Sequence, residues 1–395
     1  MFTGQNESVF MKNIWILSGE ASGDMYGAKL AEELRSIAAE KGENIHIAGM
    51  GGPKMIAAGI DIRVDSSELG VIGFVEILKH IFTFINIFFK LVKQAKTERP
   101  DRVVLIDYPG FNLLFALVMY RNKIPVIWYV CPHLWVWGKW RLPVLAKICT
   151  KMLVIFPFEV EVFADTPLKP DFVGHPLVDI VEGRRNPSVT RDPNAFLLLP
   201  GSRTMEIERL LPTMLDTVCQ ISARHPQLSF YLSTPRERIT ALCQKTISAY
   251  REKHPELPPV AVSTGDTGKW QQQAGTGLAA SGTVTVESAI AGLPLVVGYR
   301  TNWMSIIIAV LLSVKLFRGF FTMTNIIANK VVFEEFLQHR FCTENIVPAV
   351  ERILPGGERR QEVEAEMLEV RNMLAAQSGS AARQAALAIT AEEEK

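Results

Sequence analysis

The sequence predicts an α/β protein made of two doubly wound, Rossmann-like domains facing a cleft. Three observations predict it. Short β-rich runs alternate with helical segments through the first half, the pattern of a parallel sheet covered by helices on both faces. The alternation halts in a polar, turn-rich stretch, Glu182-Gly-Arg-Arg-Asn-Pro-Ser188 to Asp192-Pro-Asn194, and then restarts. At 395 residues the chain is long enough for two domains of ordinary size. The expected divisions are an N-terminal domain over 11–177, a linker over 178–194, a C-terminal domain over 195–345, and helices with a charged tail over 346–395.

In the first domain the expected strands are Ile14–Ser18, Ile45–Gly49, Arg102–Ile106, Val126–Val130, Met152–Phe156 and Asp171–Val173. Helical spacing occupies Ala28–Ile37 and Ile72–Val92 between them. The second series is Ala195–Leu199, Leu228–Leu232, Val260–Ser263, Leu278–Ala280 and Leu295–Gly298. In such sheets ligands bind beyond the carboxyl ends of the strands, where the loops of interest below all fall.

Lysine plus arginine (42) and aspartate plus glutamate (41) nearly cancel, so no global field draws the protein to nucleic acid. Five scattered cysteines without a Cys-x-x-Cys pair read as reduced thiols of a cytoplasmic protein. Met1–Phe10 is polar and does not read as a signal peptide. The hydrophobic share of 48% raises the question of a membrane. His80–Lys93, which contains Phe84, Phe88 and Phe89, and Trp303–Val314 are strongly apolar with basic flanks. Neither approaches the roughly 20 apolar residues that span a bilayer. They read either as buried core helices or as a surface that dips into one leaflet.

Two segments carry most of the chemistry. Leu197-Leu-Leu-Pro-Gly-Ser-Arg203 and Ala280-Ser-Gly-Thr-Val-Thr-Val-Glu287 each read as an apolar strand, a small-residue turn and a helix start. A helix start presents unpaired N–H groups and positive dipole, which with Gly201, Ser202, Arg203, Ser281, Gly282 and Thr283 suits a diphosphate. Glu287, about one turn into its helix, can accept two hydrogen bonds from a ribose diol. The pair points to a nucleotide-sugar site. Tyr299-Arg300 adds a second guanidinium at a strand end, and Asn325 and Gln338 lie in polar insets within apolar surroundings.

The first half offers further candidates, each with a plainer alternative. Ser18-Gly-Glu-Ala-Ser-Gly-Asp24 supplies Gly19, Glu20, Ser22 and Asp24 to a ligand, or is a helix start capped by Ser22 and Asp24. Asp107, in Ile106-Asp-Tyr-Pro-Gly-Phe-Asn112, is either a desolvated general base or a cap of the following helix. Tyr129-Val-Cys-Pro-His-Leu-Trp-Val-Trp137 lines a ligand groove or packs the core. His175, in Phe172-Val-Gly-His-Pro176, reads a ligand from the hinge or shapes the turn. No Asp-x-Asp triplet occurs, so no essential metal is expected and no cofactor is implied.

These motifs, in order from Met11 to Gln338, resemble lipid-A-disaccharide synthase. The resemblance rests on Gly19–Asp24, Ile106–Asn112, Tyr129–Trp135, Phe172–Pro176, Leu199–Arg203, Ala280–Thr283 with Glu287, and Val297–Arg300. It implies a GT-B glycosyltransferase of Gram-negative bacteria, inverting and metal-independent, attached peripherally to the cytoplasmic face of the inner membrane. Its members join a UDP-2,3-diacylglucosamine donor to an acylated sugar phosphate, 2,3-diacylglucosamine 1-phosphate, through a β-1,6 bond. The resemblance places the general base on Asp107, the essential first loop on Glu20 and Ser22, and the UDP contacts on Arg203 and Glu287. It places the acyl-binding insertion on the Phe-rich stretch after Gly73. Gly19, Asp24, Asn112 and His175 are expected on the acceptor side, and the inner-membrane surface and a second copy in a homodimer are the expected partners. Departures cluster on that side: Gly110 replaces a usual aspartate, Cys131 and His133 replace serines, Gly138 an arginine and Thr324 a proline. Two other readings stay open: a UDP-sugar enzyme of the same fold with another acceptor or epimerase chemistry, and a non-catalytic UDP-sugar or lipid-binding paralogue.

Overall fold

The computed structural model describes residues 11–66, 81–132, 134–135, 139–301 and 318–391. The chain divides into two compact units, Met1–Pro176 with Ala375–Lys395, and Leu177–Leu374.

The first unit is built on a seven-stranded sheet. Its strands are β1 (Met11–Ser18), β2 (Asn44–Gly51), β3 (Asp61–Asp65), β4 (Arg102–Ile106), β5 (Val126–Tyr129), β6 (Lys151–Val154) and β7 (Asp171–Phe172). Their order is β3-β2-β1-β4-β5-β6-β7, and every neighbouring pair is parallel. The central strands read as near-continuous apolar runs because helices cover both faces. Trp15, Leu17, Val103, Leu105, Trp128 and Met152 accordingly lie fully buried in one core with Phe115 and Leu91 from two of the helices. The order reverses between β1 and β4, where Ser18 pairs with Ile106. The loops that begin at Gly19 and Asp107 therefore leave adjacent strands at the topological switch point.

The second unit repeats the plan with β8 (Asp192–Leu199), β9 (Ser229–Thr234), β10 (Val260–Thr264), β11 (Ala274–Ala280), β12 (Leu295–Tyr299) and β13 (Glu334–Leu337). The order is β10-β9-β8-β11-β12-β13, again all parallel. Leu199 pairs with Ala279 across the β8/β11 switch point, which sets Gly201 and Ser281 side by side at the open end.

Two strands were not anticipated. β3 carries alternating charges (Asp61, Arg63, Asp65) on an edge, and β13 begins with two glutamates, so neither shows the apolar run of a central strand. The expected helix over Ile72–Val92 is observed as Ile81–Glu98, its first residues lying outside the described range. The region 346–395 is also not one appendage. The helix Arg360–Leu374 belongs to the second unit, whereas Ala381–Thr390 packs on the first helix, Ala21–Glu40. There Arg383 pairs with Glu33 at 3.3 Å and Glu40 at 2.9 Å, and Lys151 donates to the Ala388 carbonyl at 2.7 Å. Among the described residues no helix is long and apolar enough to cross a membrane.

Candidate active site

In the second unit a cavity of about 500 Å³ opens at the β8/β11 switch point. It gathers seven of the expected residues: Gly201, Ser202, Arg203, Ser281, Gly282, Thr283 and Glu287. Gly201 has φ +114, and a Cβ there would overlap the carboxylate of Glu206, so only glycine makes this turn. Glu206 reaches back to accept the N–H groups of Ser202 at 2.8 Å and Arg203 at 3.2 Å. The two N–H groups that lead into the helix Thr204–Arg224 are thus already taken. Arg203 itself is 81% exposed, its guanidinium 3.6 Å from Glu206 and otherwise directed to solvent. The other helix start, Thr283–Ala291, has no side-chain cap, and the space around Gly282 is open. Its leading N–H groups are the anion-ready ones.

Glu287 stands one turn further in. Burial raises its carboxyl above the ordinary range, against the pull of Arg184 and a Gln271 hydrogen bond. Gln271 is itself buried and donates to Ser288 at 3.1 Å. The far wall comes from residues the sequence did not single out: Arg184, Ser233, Pro235, Gly265, Thr267 and Gly268. Asp266 braces that wall by accepting Ser233 at 3.0 Å, Ser263 at 2.7 Å and the Trp270 indole at 2.9 Å, with Trp270 stacked on Tyr231. Gly265-Asp-Thr-Gly268 is a legible turn signal after a strand, but its place in the cavity depends on sheet order. Arg184 was hidden in what reads as a linker.

Three expected nucleotide ligands do not line this cavity. The Arg300 guanidinium donates to the Gln338 carbonyl at 3.2 Å and Thr213 at 3.0 Å, and also to the carbonyls of Phe341 and Arg209, while lying over the Phe341 ring. It is a strut between segments. Asn325 is wholly buried: its amide donates to the Phe333 carbonyl and Glu335, and its oxygen accepts the N–H groups of Val332 and Phe333. It fastens the connection to β13. Gln338 donates weakly to the Thr301 carbonyl at 3.4 Å.

In the first unit the switch point joins the Gly19 and Asp107 loops. A Cβ on Gly19 would overlap the Tyr108 ring, so the close approach requires glycine. Glu20 and Ser22 are exposed at the helix start. Ser22 does not cap the helix, which has no side-chain cap. Asp24, expected at a ligand, instead accepts the N–H groups of Gly52 at 2.7 Å, Lys54 at 3.0 Å and Met55 at 3.1 Å, closing the start of the helix Pro53–Ala57.

Asp107 and Tyr108 are consecutive left-handed residues, with φ +45 and +49. Each such non-glycine residue costs about 1–3 kcal/mol and persists only where its surroundings enforce it. No side chain caps the helix Pro109–Arg121, so Asp107 is not its cap. Burial raises the Asp107 carboxyl, with the Tyr108 N–H pulling the other way. Asn112, expected at the acceptor, is fully buried and gives its amide hydrogens to the carbonyls of Ile106 at 3.3 Å and Asp107 at 2.8 Å. His175 is likewise no exposed reader of a ligand: it is 3% exposed with its ring 5.0 Å from Phe156, and burial holds it neutral down to about pH 3. Behind Asp107 lie buried Cys131 and Glu159, the latter pushed up to about 8 by burial and, in smaller part, by Asp107. His133 and Gly138 lie outside the described residues.

The Phe-rich helix is divided. Phe88 packs edge-on against Phe111 and Phe115, and Phe84 is half-buried against the same core. Phe89, at 64% exposure, and Ile85, at 42%, face outward one turn apart.

The chain matches the model of the family described as lipid-A-disaccharide synthetase over residues 14–389. It is 34% identical to the lipid-A-disaccharide synthase of Koribacter versatilis, covering 96% of this chain and 98% of that protein. Against the enzyme of the same name from Solibacter usitatus it is 32% identical, covering 96% and 97%. Solved structures similar in fold include a putative UDP-N-acetylglucosamine 2-epimerase from Listeria monocytogenes (TM-score 0.63, 14% identity, 96% of both chains). The glycotransferase of kitacinnamycin is similar at TM-score 0.56 and 16% identity, over 96% of this chain and 97% of that one. Both sheets thus have the parallel Rossmann-like form of the GT-B fold, and the chain belongs to the lipid-A-disaccharide synthase family of glycosyltransferases, the enzymes of lipid A disaccharide synthesis.

Proposed function

We propose that the enzyme joins UDP-2,3-diacylglucosamine to 2,3-diacylglucosamine 1-phosphate with inversion, making the β-1,6 bond and releasing UDP. The observation that carries this reading is the cavity that unites Arg203, the uncapped start at Gly282–Thr283 and Glu287. Arg203 and the Gly282–Thr283 amides take the diphosphate, Glu287 takes the ribose diol, and the Gly265–Gly268 wall takes the base. Fixed donors aimed at the leaving diphosphate stabilise the charge that develops on it as the anomeric bond breaks, without a metal. The acceptor hydroxyl attacks the anomeric carbon, its proton passing to the Asp107 carboxylate, while the bond to UDP breaks. A carboxyl raised by burial is better matched to that proton transfer than an ordinary aspartate. Glu20 and Ser22 border the acceptor, and Ile85 and Phe89 rest on the cytoplasmic face of the inner membrane.

The test is UDP release from UDP-2,3-diacylglucosamine with and without the diacylated sugar phosphate, beside Asp107→Ala. Release that needs both substrates and collapses in the variant supports the reading. Release without acceptor, or an unchanged Asp107→Ala enzyme, refutes it.

A further inference from the structure

Asp107 sits in a backbone conformation that it does not choose for itself. Two successive left-handed non-glycine residues end β4, and Pro109 follows at once to start a helix. The N–H of Asp107 is tied to the Tyr129 carbonyl at 3.2 Å, which secures one side of the turn. On the other side the only side chain with a hydrogen bond to the turn's backbone among the described residues is Asn112. Its amide bridges two successive carbonyls, Ile106 and Asp107, while its own N–H bonds the Tyr108 carbonyl at 3.1 Å. The orientation of the amide follows from the chemistry. Two carbonyls demand donors, so the nitrogen must face them and the oxygen must face inward. That oxygen is buried without a hydrogen-bond partner, so Asn112 leaves an acceptor unpaired in order to hold the turn. An apolar residue of similar size would avoid the orphan oxygen and lose the grip.

We infer that Asn112 is a positioning residue, which holds the Asp107–Tyr108 turn left-handed so that the Asp107 carboxylate stays at the switch point beside the Gly19 loop. The inference rests on Asp107 being the base. The titratable groups around Asp107 are Tyr108 next to it, Glu20 near Tyr108, and Cys131 and Glu159 behind it. Releasing the turn lets the carboxylate swing toward water, where its burial no longer applies.

The experiment measures kcat, donor KM, the acidic limb of the pH profile and Tm for Asn112→Ala and Asn112→Asp in the full chain. Asn112→Asp keeps the shape but sets a carboxylate against two carbonyls. The expected result is a fall in kcat of about 30-fold or more, since small misplacements of a reacting group are costly. Donor KM should stay within about twofold, and the acidic limb should move to lower pH. Adding Tyr108→Gly to Asn112→Ala, which removes the cost of one left-handed residue, should recover at least about threefold in kcat. A kcat within about threefold of wild type overturns the inference, as does a loss with an unmoved acidic limb. If Asn112→Ala does not fold, Asn112→Ser, which keeps one donor, carries the test on the same readouts. An active Asp107→Ala enzyme would sink the base itself; an inactive one beside unaffected Asn112 variants sinks only the role of Asn112.

Discussion

Glu206 folds back on Ser202, accepting its N–H at 2.8 Å, and so occupies the turn that leads into its own helix before any ligand arrives. The consequence is a division of labour within the cavity proposed for the nucleotide. The first junction contributes the exposed guanidinium of Arg203, and the second contributes the open amides at Gly282 and Thr283.

Arg203 and Arg300 therefore separate cleanly. Arg203→Ala removes an exposed group, so Tm should hardly move, with stability changing within about 0.5 kcal/mol. UDP affinity should fall by about tenfold or more. Arg300→Ala breaks bonds to several carbonyls and should cost about 2–4 kcal/mol of stability, with UDP affinity nearly unchanged in the folded fraction. Calorimetric UDP titration beside thermal melts checks both, and the reverse pattern would return Arg300 to the ligand.

Glu159 makes stability pH-dependent in a defined direction. Its folded pKa, about 8, lies above the ordinary value of 4.5. The protonated form is the one the fold favours, so this contribution is complete below about pH 4.5 and is lost as pH rises through about 8. His175 works oppositely and at lower pH: its pKa is depressed to about 3, so its contribution is lost as pH falls below 6.5. The difference in Tm between wild type and Glu159→Gln isolates the carboxyl. The variant should gain on wild type from about pH 5 to about pH 8 and level off above it, and a constant difference across that range would refute the assignment.

Gly110 lies exposed in the first turn of its helix with open space where a Cβ would project. Gly110→Asp should fold, and should stabilise the protein by about 0.5–1 kcal/mol through helix propensity and the dipole. Denaturant unfolding measures it. A destabilised variant would mean that this site tolerates no side chain.

The proposed membrane contact reduces to a small test. Ile85→Glu with Phe89→Glu alters two exposed residues and should leave Tm within a few degrees. Sedimentation with vesicles containing anionic lipid should drop several-fold, whereas Phe88→Ala should mainly destabilise by emptying an aromatic cluster. Equal vesicle binding by wild type and the double variant would rule out this face.

The parallel sheets, the two switch-point loops and the paired strand-to-helix junctions of the second unit were legible in the sequence because their signals are local. An apolar run such as Phe196–Leu199, bounded by turn residues, reads as a buried strand, and the glycine at 201 marks the turn wherever the strand lies. Edge strands with charged residues, β3 and β13, escaped because an edge does not need an apolar run. The fate of a polar side chain was not legible at all. Asp24, Asn112, Arg300 and Asn325 carry the same chemistry as a ligand contact, and what they bind instead is mostly backbone.

By itself the sequence determined the fold class, the family and the order of the chemical loops, since these depend on residue type and spacing along the chain. The tertiary structure alone decided which guanidinium faces solvent and which carboxyl is buried. Arg203 remains 81% exposed, with only Glu206, three residues on, beside its guanidinium. Arg300 is consumed by Arg209, Thr213, Gln338 and Phe341 from distant segments. A hydrogen bond is satisfied by whatever partner folding brings near, and for Arg300 those partners lie tens of positions away.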